Sequence, residues 1–331
     1  MQKKIRNILI GLLVVVALFL IGVVCYFKLP VAAYYKASDK AFKIPEISKG
    51  FIPQGLAFDS ASGDFYITGY MKDHSASPIY IVDKDTGKIR KQVRLANPDG
   101  TEMNGHCGGL SVYNGKVYVA GSSDACLYVF DPATIRANDA DKLLSYDYTI
   151  DFDPENTNMG IAFTTVYDGQ LIIGEFYRPK VYPTDESHWI TTSTGSTNRA
   201  LAISVILDGN TPIPTAVYSL PDQVQGMYFD DNNIYASTSY GVAFSHILNY
   251  DKSKLTQTGT YNILGVDAPL YILDESCLIS DTKIAPMSEE IEILNNKMYI
   301  MCESASDKYI FGKLTGARKC YSTDISLFEA K

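Results

Sequence analysis

The chain has 331 residues, 46% of them hydrophobic and 12% aromatic, enough to bury a large core, and this excludes disorder, collagen and coiled coil. Its 29 cationic and 37 acidic residues give a formal net charge of −8. That balance argues against a nucleic-acid partner, which needs a basic face to displace condensed counterions.

Ile8–Phe27 is an unbroken apolar run of 20 residues. As a helix it spans about 30 Å, the hydrocarbon thickness of a bilayer. Lys3, Lys4 and Arg6 precede it, a bias that keeps the N-terminus inside and translocates the long C-terminal remainder of the chain. The alternative is a cleaved signal peptide, since Val31-Ala32-Ala33 resembles a small-residue cleavage site. The run exceeds the usual signal core of about 7–15 residues, which favours an uncleaved signal anchor. The expected organisation is therefore a cytoplasmic tail and transmembrane anchor over 1–28 and a stalk over 29–50, able to lend a strand to the domain. The domain itself occupies 51–331, on the extracytoplasmic side of a cell membrane crossed once. Cys25 falls within the anchor. Cys107, Cys126, Cys277, Cys302 and Cys320 lack Cys-x-x-Cys or zinc spacing. Candidate disulfides are Cys107–Cys126 and Cys277–Cys302, with Cys320 left over; buried free thiols are the alternative.

From residue 51 onward one pattern recurs five times: a Gly or an acid, an alternating apolar strand, a tight turn, a second strand, then small polar residues. The five copies begin at Gln54-Gly55, Gly108-Gly109, Met159-Gly160, Gln225-Gly226 and Glu289-Glu290. Their turns are Ser60–Gly63, Asn114-Gly115, Asp168-Gly169, Asp231–Asn233 and Asn295-Asn296. Asn, Asp and Gly tolerate the positive φ that two-residue hairpins demand. Third strands are expected at Ile79–Asp83, Leu127–Asp131, Leu201–Val205, Val242–His246 and Tyr309–Gly312. Fourth strands are expected at Ile89–Leu95, Ser145–Ile150, Thr215–Leu220 and Thr258–Ile263. Four antiparallel strands per unit, repeated around a ring, describe an all-β fold, the β-propeller. Five blades fill 51–331. The segments 182–199 and 264–286 are long enough to hide strands of a sixth. The Thr/Ser-rich insert at 181–199 reads as an exposed loop.

In such a ring the innermost strands start around one mouth of a central channel, and the loops between second and third strands overhang it. That gathers Gln54, His106, Cys107, Asn158, Gln225, Glu289 and Glu290, overhung by Thr68, Glu175, Thr238 and Glu303. Glu289 and Glu290 stand where the other copies carry Gly. An acid there can hold Ca²⁺, bind an amine or act as general base, the alternative being a salt-bridged pair beside Lys283 or Lys297. His106 is the one histidine in a copy-start motif, a general acid/base candidate or a structural histidine bonded to a carbonyl. The candidate catalytic residues are thus Glu289, Glu290 and His106, and the candidate ligand-binding residues Gln54, Asn158, Glu175, Gln225 and Glu303. Lipase-type elbows, zincin helices, phosphate loops and dinucleotide fingerprints are missing.

Phe51-Ile-Pro-Gln54-Gly55-Leu-Ala-Phe, with Phe65-Tyr-Ile-Thr-Gly69 and Ile79-Tyr-Ile-Val-Asp83-Lys-Asp-Thr-Gly87-Lys, resembles the NHL/SMP-30-like propellers. More narrowly it is similar to the first blade of five-bladed glutaminyl cyclases. Those enzymes cyclise N-terminal glutamine with a channel carboxylate. Their second-blade pattern Glu-Gly-x-Gly-Leu reads here His106-Cys107-Gly108-Gly109-Leu110, without the acid. The resemblance also implies lactonases with a channel Ca²⁺, whose acid/Asn ligand set is partly matched by Glu289, Glu290 and Asn158. The expected function is a membrane-anchored binding or scaffold module for a peptide, glycan or small ligand. The alternative is a propeller hydrolase or cyclase using a channel carboxylate, with or without Ca²⁺.

Overall fold

The computed structural model describes residues 2–139, 141–153, 158–310, 312–315 and 317–329. Five blades of four antiparallel strands each form a five-bladed β-propeller. Blade one comprises Phe51–Asp59, Asp64–Met71, Pro78–Asp83 and Ile89–Ala96, and the short Leu143–Ser145 pairs on its edge. Blade two comprises Cys107–Tyr113, Lys116–Gly121, Cys126–Phe130 and Tyr148–Asp151. Blade three comprises Phe163–Tyr167, Gln170–Gly174, Ala200–Asp208 and Thr211–Leu220. Blade four comprises Val224–Phe229, Asn233–Thr238, Ser245–Asp251 and Leu278–Ile284. Blade five comprises Ser288–Leu294, Lys297–Cys302 and Lys319–Asp324, and its outer strand is Ser38–Lys43 from the segment expected as a stalk.

Hairpin turns fall where their residues allow positive φ: Asn114 and Gly115 lie at 48° and 69°, Asp168 and Gly169 at 48° and 73°, Asn295 and Asn296 at 52° and 59°. Successive residues of a strand face opposite neighbours, so each blade feeds two cores. Phe65 and Ile67 pack toward blade five, for instance, while Tyr66 packs toward blade two. Five such interfaces close the ring.

Several expected strands are displaced. Thr258–Ile263 lies within Gln257–Ile263, which forms a hairpin with Val266–Ile272; the latter runs parallel to the outer strand of blade three. Leu278–Ile284 takes its place in blade four. The alternating pattern of that excursion is a genuine strand signal, but it widens a blade instead of filling one, and no sixth blade forms among the described residues. In blade four the third strand starts at Ser245, after Val242. In blade five it is Lys319–Asp324, and residues 303–310 fold back over the mouth; the expected third strand Tyr309–Gly312 includes Phe311, which like Gly316 lies outside the described residues. Inner strand three starts at Phe163, beyond the expected Met159.

All six cysteines are free. Cys107 and Cys126 both pair with Gly121, from opposite sides. Two strand spacings, roughly 9–10 Å, separate them, which is beyond disulfide reach. Cys277 and Cys302 belong to different interfaces, between blades three and four and between blades four and five.

Gln2–Lys28 is one α-helix, long and apolar enough to cross a membrane, and nearly all of it is exposed. Its end is fixed to the ring: Tyr26 and Phe27 lie 6.0 and 6.5 Å from the Phe244 ring. Val31 and Tyr34 then enter the core between blades four and five, and the Tyr35 hydroxyl donates to the Thr315 carbonyl at 2.6 Å.

Candidate functional site

The inner strands approach one another so closely at Gly55, Gly109 and Gly226 that a side chain there has no room. A Cβ on Gly226 would lie 2.6 Å from the Glu290 Cα, and one on Gly109 would lie 2.4 Å from Glu290 Oε1. The fifth blade supplies what these glycines leave room for. The Glu290 side chain occupies the axis, and its Oε2 accepts the Leu56 N–H at 2.7 Å and the Leu110 N–H at 2.9 Å. It therefore ties blades one and two to blade five. Burial raises its pKa well above the usual carboxyl range, against the pull of those N–H groups. Glu290, expected beside Glu289 as a catalytic acid, lies below the cavity wall and does not line it.

Above it a cavity of about 670 Å³ opens at the mouth, lined from all five blades. Seven of the eight expected residues meet there: Gln54, His106, Asn158, Glu175, Gln225, Glu289 and Glu303. Their roles diverge. Gln54 sits at the centre of a relay. His106 Nε2 lies 2.7 Å from Gln54 Oε1, while Gln54 Nε2 donates to Glu303 Oε2 at 3.2 Å and to its neighbour's carbonyl, Pro53 O, at 2.9 Å. With the amide nitrogen committed to two acceptors, Oε1 must accept, so His106 donates from Nε2–H. Burial, reinforced by Lys308, lowers the His106 pKa to about 4 and keeps the ring neutral. Glu303 Oε1 accepts the Tyr309 hydroxyl at 2.6 Å. Burial pushes the Glu303 carboxyl up to about 7. Burial also raises Glu289, with Glu303 and then Glu290 adding repulsion and Lys308 opposing them.

Glu289 is 2% exposed, and no group among the described residues hydrogen-bonds its carboxyl. Glu175 is the opposite case. Its Oε1 takes the Gly160 N–H at 3.2 Å and His188 Nδ1 at 3.0 Å, and its Oε2 takes the Leu201 N–H at 2.9 Å. It serves to hold the insert of blade three. That insert, expected as an exposed loop, buries His188 and lays Val181–Thr184 along the cavity. Asn158, at φ 55°, donates to Asp185 at 2.9 Å. Thr68 and Thr238, expected to overhang the mouth, instead bond the carbonyls of Pro78 and His246 on their neighbouring strands. Cys107 is buried in the core between blades one and two.

Sequence reasoning missed Tyr70, Lys308 and Tyr309. Lys308 donates to the Tyr70 hydroxyl, and the Tyr70 ring packs at a 48° tilt against His106, centroids 4.3 Å apart. Tyr309 opens the stretch Tyr309–Gly312, whose apolar pattern suggested a strand, and Lys308 immediately precedes it. Among the described residues, no group of three or more His, Cys, Asp or Glu side chains is placed to hold a metal ion. Of the expected Ca²⁺ ligands Glu289, Glu290 and Asn158, Glu290 does not line the cavity, and its Oε2 is occupied by backbone N–H donors.

Comparison with protein-family models gives no match, and comparison with curated proteins gives none. Several solved structures are similar to the chain. The chain is similar to the PQQ-bound form of aldose sugar dehydrogenase from Streptomyces coelicolor, at 15% identity and a TM-score of 0.46, covering 86% of this chain and 95% of that chain. It is similar to a luciferin-regenerating enzyme at 12% identity and 0.44, covering 85% and 93%. It is also similar to Myxococcus xanthus glutaminyl cyclase at 12% identity and 0.39, covering 80% and 90%.

Proposed function

We propose that this protein is a single-pass, membrane-anchored propeller whose extracytoplasmic domain binds a small polar ligand, or the end of a peptide or glycan, in its axial cavity. One observation carries this reading: the buried Glu289 carboxyl faces the cavity with no hydrogen-bond partner among the described residues. A ligand hydroxyl or amine entering the cavity can donate to that carboxyl, which opens to the cavity and meets no protein donor among the described residues. Glu303, Gln225 and Lys308 line the same space and can fix its orientation. The uncleaved anchor is supported by Phe27 and Val31, which a cut after Ala33 would strip from the ring. Thermal unfolding of the full chain in detergent, with and without dipeptides, monosaccharides and simple amines, tests the reading. A native-state ligand at 100 times its Kd adds about 2.7 kcal/mol. A rise in Tm lost in Glu289→Gln is the expected result; no rise with any compound, or a rise that survives the substitution, overturns it.

A second reading has its own support. A cavity carboxyl pushed up to about 7, beside a second raised carboxyl, suits general acid–base work near neutral pH. A hydrolase or cyclase of this kind would use Glu303 with Glu289. Turnover of a lactone or an N-terminal glutaminyl peptide that is lost in Glu303→Gln would favour it over simple binding.

A further inference from the structure

Large apolar side chains that stay exposed outside the helix's membrane run are few, and their positions are uneven. Ile89 and Ile206 lie toward the end of the ring opposite the cavity. Val181, Tyr182, Val242 and Ile310 all lie on loops over the mouth, and Ile310 is 82% exposed. The mouth is also where the helix leaves the ring. Phe244, which packs on Tyr26 and Phe27, shares a loop with Val242 and with the cavity residues Tyr240 and Gly241. The helix touches Gly312–Leu314 in the loop that carries Ile310, Lys308 and Tyr309.

Tyr26, Lys28 and Leu29 are exposed at the end of the apolar run, the pattern of a helix end at headgroup depth, where aromatic and basic side chains anchor. A loop packed against that end is held at the same depth. We infer that the mouth face of the propeller is a membrane-docking surface, with Val242 and Ile310 inserted among the lipids beside the anchor and the cavity opening onto the lipid interface. Lys180, next to Val181 in the blade-three loop, adds a cation that headgroup phosphates can meet. Scattered apolar residues need no explanation, but a cluster continuous with a membrane helix does. The inference rests on Gln2–Lys28 being a membrane anchor.

The test uses the full chain in vesicles of phosphatidylcholine, with and without brominated acyl chains. In a Cys25→Ser background the remaining cysteines are buried, so Val242→Cys, Ile310→Cys, Ile89→Cys and Ile206→Cys can each carry one environment-sensitive fluorophore. The expected result is loss of emission in brominated vesicles at 242 and 310 and none at 89 or 206. Equal behaviour at all four sites overturns the docking surface, as does protection of 242 and 310 in native membranes alone, which would assign the face to a protein partner. A label on native Cys25 reports the anchor separately. If Cys25 is quenched while 242 and 310 are not, docking fails and the anchor stands; if Cys25 also escapes, the anchor reading fails and docking with it.

Discussion

Glu289 and Glu290 are neighbours in one strand, equally buried and both pushed toward the neutral form, yet they do different things. Glu290 points into the axis and accepts backbone N–H groups from two other blades. Glu289 points into the cavity and meets no donor among the described residues. Burial and a raised pKa are therefore shared by a carboxyl that holds the ring together through one of its oxygens and one that faces the cavity. Partners separate the two cases, and the same criterion separates the saturated Glu175 from Glu303, whose partners are all side chains of the cavity.

The largest expected effect comes from the axis. Glu290→Ala strands two buried N–H groups and should cost about 2–5 kcal/mol, read as a fall in urea midpoint at constant slope. Glu289→Gln should leave that midpoint unchanged or raise it, since it removes a buried like-charge neighbour of Glu303; a comparable fall would erase the distinction. Gly109→Ala drives a methyl into Glu290 Oε1 and toward the Phe163 Cα at 2.7 Å, and should cost about 1–3 kcal/mol.

pH sharpens the contrast further. Because the folded Glu303 carboxyl is raised to about 7 from its ordinary 4.5, the native state holds a proton that the unfolded chain has lost between those values. Its contribution is full below about 4.5 and falls away as pH rises to 7. Glu292, also pushed up to about 7 by burial, acts in the same window, whereas His106, lowered to about 4, acts oppositely between 4 and 6.5. The difference between wild type and Glu303→Gln isolates the carboxyl: the wild-type advantage should shrink from pH 5 to pH 7, and a constant difference would remove Glu303 from the titration. The smallest effect is a null one. With every cysteine free, a reductant should leave Tm unchanged.

Much of the ring was readable because its physics is local. Positive-φ turns, alternating strands and an axial Gly each impose a residue type at a fixed place. The acid replacing Gly at the fifth copy was visible too, but not which of Glu289 and Glu290 faced the cavity. The ladder shifts register between Ser288 and Ile291, and a bulge re-aims side chains in a way that alternation does not foretell. Lys308 and Tyr309 escaped because a long excursion returns to the mouth through contacts distant in sequence, and the hairpin of Gln257–Ile263 misled because it is a real strand in the wrong blade.

The outer strand of blade five has a consequence for how the chain is made. Ser38 and its partner Thr323 are 285 residues apart, and translation at about 5–20 residues per second separates their appearance by roughly 15–60 s. Throughout that interval the first strand follows directly on the apolar helix Gln2–Lys28 while the inner strands of the blades are still being made. If the helix sits in a bilayer during that time, it holds an unpaired, aggregation-prone strand edge close to where its partner will arrive, and so serves as a placeholder in synthesis.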